Sequence, residues 1–329
     1  MRAQTVQTWI ARHILVRRRL ENVCTSYLLF LMVVTRKHSL EEAARFSGRH
    51  KSQFSKILKA HSQIAVSTLE SLSKKQAKQV AKARQKLKEL PWDIAIVVDS
   101  TLQHRASLHP ENAKTFHHGQ GFVVGHQWTN IVLLLQDRLI PLRPIPFYSQ
   151  RYCRDHKLTY RTEHDLVVEY IEQLNLEDSI GAYDPRQVVV LTDSGYDNKK
   201  IQTAIAAKPW HCIIALGKTR RVKSPTLALT TPKTKQWCHI ATFFRNHRWL
   251  KWQTIRLPTK GTKRKRMEFR TRDTIGYLRD VGQVPLVCSE PRNRPEGRRK
   301  YFACNDLRVT ARQIILGYRL RWAIERVSV

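Results

Sequence analysis

The sequence lacks the features of several protein classes. Its six cysteines include no C-x-x-C pair, which argues against a zinc finger or a disulfide scaffold and fits a reducing cytosol. The most apolar run near the amino terminus, residues 27–34, is far shorter than the ~20 residues of a membrane span. It also has no small-residue cleavage site, so it is not a signal peptide. We therefore expect a cytoplasmic protein without structural zinc or disulfides.

Acidic residues are also scarce. The 329 residues contain 26 Asp and Glu against 59 Lys and Arg, which gives a net charge of +33 and a pI near 10.5. Such an excess of one sign repels itself and is tolerated best beside a polyanion, most commonly nucleic acid. The composition therefore predicts a nucleic-acid-binding protein with room for one large core or for two to three domains.

Residues 1–90 contain no proline and read as a helical, basic domain. Ser39 and Glu42 form a capping-box start, and the helix that they open stops at Gly48. A second, basic helix follows, which is the helix-turn-helix pattern of DNA-binding domains; an ordinary helical hairpin is the alternative. The candidate DNA contacts on that second helix are Arg49, Lys51, Gln53 and Lys56.

After Pro91 the sequence changes to short β-branched runs that alternate with amphipathic helices, which predicts an α/β core with a mixed sheet. Residues 218–309 are short alternating stretches separated by Pro, Gly and basic clusters, which predicts a mostly β, basic insertion. The predicted domains are therefore 1–90, 91–217, 218–309 and a final helix, 310–329. Candidate DNA contacts in the insertion are Lys263, Arg264, Lys265 and Arg266.

Two aspartates lie at equivalent places. Asp99 directly follows a predicted strand, and Asp193 follows another with only Thr192 between. Ligands collect at the carboxyl ends of strands, and a carboxylate there is costly to desolvate unless a cation compensates it. This pair predicts a site for Mg²⁺ or Mn²⁺ rather than zinc. The alternative is that each aspartate caps a turn or a helix.

The last predicted helix carries a third candidate carboxylate. Tyr318, Arg321 and Glu325 stand at i, i+3 and i+7 and share one face of an α-helix. Such a face suits a metal-bound phosphate, with Glu325 as ligand, Arg321 as a fork for phosphate oxygens and Tyr318 as a positioning hydroxyl. Four apolar residues are expected to face the sheet instead: Ile314, Ile315, Trp322 and Ile324.

Three segments together resemble the DDE transposases of bacterial insertion sequences. They are I-V-V-D-S-T at 96–101, V-L-T-D-S-G-Y at 190–196 and Y-R-L-R-W-A-I-E at 318–325. The last segment is similar to the Y-x-x-R-x-x-x-E signature of the insertion-sequence-4-type group. The resemblance extends from about Trp92 to the carboxyl terminus. It implies an α/β fold with an RNase-H-like mixed sheet and a mostly β insertion, preceded by a helical end-binding domain.

The resemblance also implies a mechanism. Asp99, Asp193 and Glu325 would hold two Mg²⁺ or Mn²⁺ ions and catalyse strand cleavage and transfer at the ends of an insertion sequence. The implied partners are double-stranded DNA, both terminal inverted repeats and target, and a second copy of the chain in a nucleoid-associated synaptic complex. In hairpin-forming relatives an insertion tryptophan stacks on a flipped base. The candidates for that role are Trp237, Trp249 and Trp252. The alternative for each is a tryptophan of the hydrophobic core.

The family pattern continues with a lysine seven residues after the glutamate, at position 332, whereas this sequence stops at Val329. We therefore expect a truncated chain that holds Glu325 loosely and lacks the subunit-pairing helices of its relatives. This leaves an alternative function, a catalytically impaired transposase that acts only as a DNA-binding protein or inhibitor. A third reading is an unrelated RNase-H-like nuclease, against which the Tyr-Arg-Glu helix argues.

Overall fold

The computed structural model describes residues 8, 18–34, 39–60, 62–81, 89–105, 111–118, 121–136, 138–224, 236–247, 249–258, 266–279, 281–292 and 299–326. The chain divides into two compact units, Met1–Gln76 and Ala77–Val329. This division falls earlier than the domain end predicted at residue 90. Among the described residues, no helix has both the length and the apolar character needed to cross a bilayer.

The first unit is helical. Its helices are α1 (Arg18–Val33), α2 (Leu40–Ser47), α3 (Lys51–Ala60) and most of α4 (Ser62–Ala81). The predicted start and end of α2 are confirmed. The Ser39 hydroxyl accepts the backbone N–H of Glu42 at 3.1 Å, and Gly48 ends the helix at φ 65°, a left-handed conformation that favours glycine. Phe30 and Phe54 are the largest side chains of its small core.

The second unit is built on one mixed sheet. Its strands are β1 (Ile94–His104), β2 (Lys114–His118), β3 (Gly121–Leu135), β4 (Arg138–Pro141), β5 (Ile145–Pro146), β6 (Val188–Thr192), β7 (His211–Leu216), β8 (Arg221–Lys223), β9 (Cys238–His239), β10 (Gln253–Pro258), β11 (Arg266–Leu278), β12 (Gly282–Pro291) and β13 (Lys300–Cys304). The main order is β2-β3-β1-β6-β7-β13-β12-β11-β8-β9, while β10 pairs with β11, and β4 and β5 pair with β3. The pairs β1–β6 and β6–β7 are parallel.

Helices cover both faces of this sheet. They are α5 (Gln150–Asp155), α6 (Glu163–Gln173), α7 (Glu177–Ile180), α8 (Lys199–Ala207), α9 (Ile240–Asn246) and α10 (Ala311–Leu320). In the described part of the chain, 3₁₀ turns accompany them at Pro185–Gln187, Ser194–Tyr196 and Arg321–Arg326. Helices α6 and α8 pack on one face, and α10 packs on the other.

The alternation of strand residues decides which face receives each aspartate, since successive side chains point to opposite sides. On β1, Ile96 and Val98 belong to the core shared with α6 and α8, whereas Val97 belongs to the core shared with α10. Asp99 continues the series of Val97. The same parity on β6 puts Asp193 in the series of Leu191, again on the α10 side. A one-residue slip of either strand would move its carboxylate to the wrong face.

Among the described residues, the strands of the predicted β-rich insertion belong to the same sheet. Strand β13 pairs antiparallel with β7, and β12, β11 and β8 extend the same sheet outwards. Pairing with β13 supplies hydrogen-bond partners to the strand edge that β7 would otherwise expose. The region predicted as an insertion therefore continues the central sheet.

The final helix is shorter than predicted. Helix α10 ends at Leu320, where the backbone N–H of Arg321 bonds to the carbonyl of Tyr318, and the chain continues as a 3₁₀ turn. A 3₁₀ turn has about 3.0 residues per turn, so the α-helical spacing used to predict one shared face does not extend past Leu320. The expectation for Trp322 was also wrong: half of its surface is exposed beside Lys300. Ile314, Ile315 and Ile324 are buried as predicted.

Candidate active site

The two aspartates lie side by side at the carboxyl ends of parallel strands. Val98 of β1 pairs with Thr192 of β6, so Asp99 and Asp193 each follow the last paired position. Their local structures differ. Strand β1 continues beyond Asp99 against β3, whereas Asp193 leaves the sheet and caps a 3₁₀ turn, its Oδ1 accepting the N–H of Gly195 at 2.8 Å.

The carboxyl end of α10 brings a cation to this pair. Nη1 of Arg321 donates to Oδ2 of Asp99 at 2.7 Å, and the two side chains are 14% and 21% exposed. The guanidinium also lies 5.5 Å from the ring centroid of Tyr318. Tyr318 is itself part of the core, with its ring 4.6 Å from that of Phe302. The structure therefore brings together Asp99, Asp193, Tyr318 and Arg321.

The charges of this cluster influence each other. Burial raises the pKa of the Asp99 carboxyl; Arg321 opposes that rise, and the nearby Asp193 carboxylate adds to it. Burial likewise raises the pKa of the Tyr318 phenol, against the opposing influence of Arg321. Two carboxylates near one guanidinium leave negative charge that a bound cation would compensate.

The donors present fit an oxygen-preferring divalent ion. Asp99 and Asp193 offer carboxylate oxygens, the ligand type that Mg²⁺ and Mn²⁺ prefer. Nε of Arg321 is buried and has no hydrogen-bond partner within the described part of the chain. Glu325 lies in the 3₁₀ turn, and its side chain is outside the described residues. In the described part, no three His, Cys, Asp or Glu side chains converge.

The predicted DNA contacts of the first unit separate into two kinds. Nε of Arg49 donates to the Ser26 hydroxyl at 3.2 Å, which ties the start of α3 to α1, and Lys51 pairs with Glu41 at 3.3 Å. Gln53 and Lys56 are exposed, opposite the buried Phe54 and Ile57. In the second unit, Lys263, Arg264 and Lys265 lie outside the described residues, as does the side chain of Arg266.

The three candidate tryptophans differ in their surroundings. Trp249 is 66% exposed, and its ring contacts His247. Trp237 lies under the ammonium group of Lys223 at 5.4 Å. Trp252 is half-buried under three guanidinium groups, 4.4 to 5.7 Å from its ring centroid, those of Arg270, Arg272 and Arg299. Only the exposed face of Trp249 resembles a surface on which a base can stack.

The site predicted from the sequence did not include a second group of polar residues, which lies near Asp193. The Tyr196 hydroxyl donates to Glu163 at 2.6 Å, and Nε2 of His164 bonds to the Gly195 carbonyl at 2.7 Å. Glu163 and His164 form the first turn of α6, on the face of the sheet opposite α10. A signal for them exists in the sequence, because the Thr162–Asp165 capping box marks the start of this helix. The sequence does not reveal that this start meets the Asp193 turn.

Comparison with protein-family models gave a match. A family model described as the transposase DDE domain matches residues 155–328. The match contains Asp193, Tyr318 and Arg321, while Asp99 precedes it and reaches the site through strand pairing. A search of curated proteins found no match. The large mixed sheet with helices on both faces confirms the predicted RNase-H-like α/β class. Because the match covers more than half of the chain, the chain belongs to the DDE transposase family.

Proposed function

We propose that this protein is an insertion-sequence-4-type transposase that cleaves and transfers DNA strands at the ends of its element in a metal-dependent reaction. The observation that carries the proposal is the convergence of Asp99, Asp193, Tyr318 and Arg321 at the carboxyl ends of β1 and β6. The Y-x-x-R-x-x-x-E spacing at 318–325 supports the narrower group.

Asp99, Asp193 and Glu325 would hold two Mg²⁺ or Mn²⁺ ions, which activate an attacking oxygen and stabilise a leaving one when they are bound. Arg321 has two roles in this proposal. Its Nη1 orients Asp99 and opposes the rise in pKa that burial causes, and its guanidinium group would pair with a phosphate oxygen. The phenol of Tyr318 stacks near that guanidinium and would help to position the phosphate.

The DNA partners of this proposal are the terminal inverted repeats and the target duplex, with a second copy of the chain completing a synaptic complex in the nucleoid. In the first unit, α3 would enter the major groove with the exposed Gln53 and Lys56. Lys56→Ala is expected to weaken binding and to reduce the slope of log K against log salt by about 0.9, because one phosphate contact is lost. An unchanged slope would argue against a phosphate contact by Lys56.

Trp249 is the proposed base-stacking residue because its ring is the most exposed of the three candidates. A 2-aminopurine placed at the cleaved end should be quenched less by Trp249→Ala than by the wild-type protein. Equal quenching by both proteins would transfer the role to another side chain.

Nicking of a terminal-repeat duplex in Mg²⁺ tests the catalytic proposal. Asp99→Asn and Asp193→Asn should each lower the rate by at least about 1,000-fold, as losses of catalytic groups usually do, while leaving DNA binding intact. Asp184→Asn is a matched control. Asp184 caps the 3₁₀ turn at the opposite end of β6 by accepting the N–H of Arg186 at 2.9 Å, the same kind of contact that Asp193 makes.

Asparagine caps such turns as well as aspartate does, so the control separates metal ligation from turn formation. If Asp193→Asn nicks as fast as Asp184→Asn, Asp193 is a turn residue and the proposal fails. If the wild-type protein binds the repeat without nicking it, the chain acts as a DNA-binding inhibitor.

A further inference from the structure

We infer that the first turn of α6 is a clamp that fixes the position of Asp193, with Glu163 and His164 as its positioning residues. This inference rests on the proposed function, in which Asp193 is a metal ligand. Neither residue is in the α10 layer that carries Arg321; both support the site from the other face of the sheet.

The first arm of the clamp is the carboxylate of Glu163, which accepts three hydrogen bonds. The Tyr196 hydroxyl donates at 2.6 Å, the Thr129 hydroxyl at 2.9 Å and Nε2 of Gln127 at 2.7 Å. Tyr196 and Thr129 are each only 2% exposed. A carboxylate that is bound by three donors, two of them buried, has little freedom to move.

The second arm is the imidazole of His164. Its Nε2 lies 2.7 Å from the Gly195 carbonyl, and its Nδ1 lies 3.2 Å from Nδ2 of Asn198. A carbonyl can only accept, and an amide nitrogen can only donate, so these partners assign the proton to Nε2. Both ring nitrogens are therefore used to hold the segment that follows Asp193.

The clamp acts on Asp193 through its turn. Gly195, whose carbonyl His164 holds, donates its own N–H to Oδ1 of Asp193 at 2.8 Å. Tyr196, whose hydroxyl Glu163 holds, donates its N–H to the Asp193 carbonyl at 3.2 Å. Gly195 and Tyr196 thus fix the backbone around the Asp193 carboxylate, and both form hydrogen bonds with residues of α6.

The clamp also ties that turn to the strand beside Asp99. Thr129 pairs with Ser100 across β3 and β1, one position from Asp99. Glu163 therefore joins β3 to the turn after β6, with β1 lying between them in the sheet. An apolar contact would stabilise this packing without the cost of desolvating a carboxylate. We therefore attribute the presence of a carboxylate at Glu163 to its role in orienting the Asp193 turn.

Mn²⁺ binding to the full chain, followed by electron paramagnetic resonance, tests the clamp together with Mg²⁺-dependent nicking and the thermal midpoint. Glu163→Ala should weaken Mn²⁺ binding and lower nicking by about 10- to 100-fold, the usual effect of removing a group that orients a metal ligand. Higher Mg²⁺ should restore part of the activity. Glu163→Gln should stay near wild type, because rotation of the Gln127 amide lets glutamine keep all three contacts.

Lys200→Ala is the matched control. It breaks the 2.8 Å bond from Lys200 of α8 to Asp165, which joins α8 to the first turn of α6 without touching the Asp193 turn. This variant should keep wild-type Mn²⁺ affinity. An equal loss in Lys200→Ala would assign the effect to general packing of α6 and overturn the clamp.

A lower midpoint in Glu163→Ala with unchanged Mn²⁺ affinity and nicking would also overturn the clamp. If Glu163→Ala does not fold, Tyr196→Phe removes one of the three bonds and should weaken Mn²⁺ binding several-fold; wild-type affinity there has the same meaning. The Asp193→Asn variant distinguishes a failure of the proposed function from a failure of the clamp alone. Wild-type Mn²⁺ binding and nicking by Asp193→Asn defeat the proposed function and the clamp together, whereas an inactive Asp193→Asn beside a wild-type-like Glu163→Ala defeats the clamp alone.

Discussion

The ends of β1 and β6 present the same side chain to the site by different means. Asp99 lies within a long strand whose pairing with β3 continues to His104, and a side-chain cation, Arg321, holds its carboxylate. Asp193 lies just past the end of a short strand, and the backbone N–H of Gly195 holds it in a tight turn. One end is positioned by charge and the other by backbone geometry.

Because the Asp99 and Asp193 carboxylates are held in different ways, different substitutions should disturb them. The orientation of Asp99 depends on the carboxyl end of α10, and thus on one long side chain. The orientation of Asp193 depends on a turn that α6 holds from the opposite face of the sheet. Changes in α10 should therefore disturb Asp99 while leaving the Asp193 turn intact, and changes near the turn should do the reverse.

The largest separation of the two ends is expected from Arg321→Ala. Losing this guanidinium leaves a half-buried Asp99 without its cation, and loss of one such preorganised electrostatic group typically lowers kcat by about 100- to 1,000-fold. Arg321→Lys should recover little, since an ammonium group cannot replace the planar fork of arginine. Single-turnover nicking measures the effect. Arg312→Ala is the control, because it removes an arginine of α10, the helix that ends just before Arg321, and the ion pair of Arg312 is with the distant Glu89.

If Arg321→Ala nicks as fast as Arg312→Ala, Asp99 does not depend on its cation. Strand β1 alone would then be enough to position the Asp99 carboxylate. Crystals of the variant should retain the Asp193–Gly195 contact, because that contact is made by the backbone N–H of Gly195.

A smaller effect, confined to the other end, is expected from Gly195→Ala. A Cβ at this position would lie 3.1 Å from Oδ1 of Asp193, so the carboxylate must shift by a few tenths of an ångström. A misplacement of about 1 Å can cost 100-fold in rate, so we expect nicking to fall roughly several-fold without loss of thermal stability. Gly217→Ala is the control, because no described residue other than its chain neighbours has an atom within 4 Å of its added Cβ. A wild-type rate in Gly195→Ala would mean that the turn tolerates displacement of Asp193.

Local patterns in the sequence predicted the strand-end aspartates well. The β-branched runs before Asp99 and Asp193 fixed two buried strands, and strand alternation then determines which face the carboxylates join. The capping signals at Ser39 and Gly48 predicted the bounds of α2 for the same reason, since a capping contact involves only neighbouring residues.

The sequence did not reveal which distant elements of the chain pair or pack with each other. Nothing in residues 300–304 reveals that β13 pairs with β7, so the sequence did not show that strands of the predicted insertion join the central sheet. The change from α-helix to 3₁₀ turn at Arg321 has no sequence signal either, because the residues on both sides favour a helix. The Glu163–Tyr196 contact joins residues 33 positions apart and depends on how α6 packs against the sheet.

The smallest expected effect concerns the stability of the protein in acid, to which Asp165 in the first turn of α6 contributes. Hydrogen bonds from Lys200 and Thr162 lower the pKa of Asp165, in the first turn of α6, to about 2. Its unfolded pKa is near 3.9, so its contribution to folding is complete above that value and is lost as pH falls towards 2. The urea midpoint of Asp165→Asn should therefore lie below wild type at pH 6, with a gap that narrows below about pH 4. Nicking at neutral pH should change little, because the contacts of Glu163 and His164 remain; a large loss would mean that the hold on Asp193 depends on the whole first turn rather than on those two side chains.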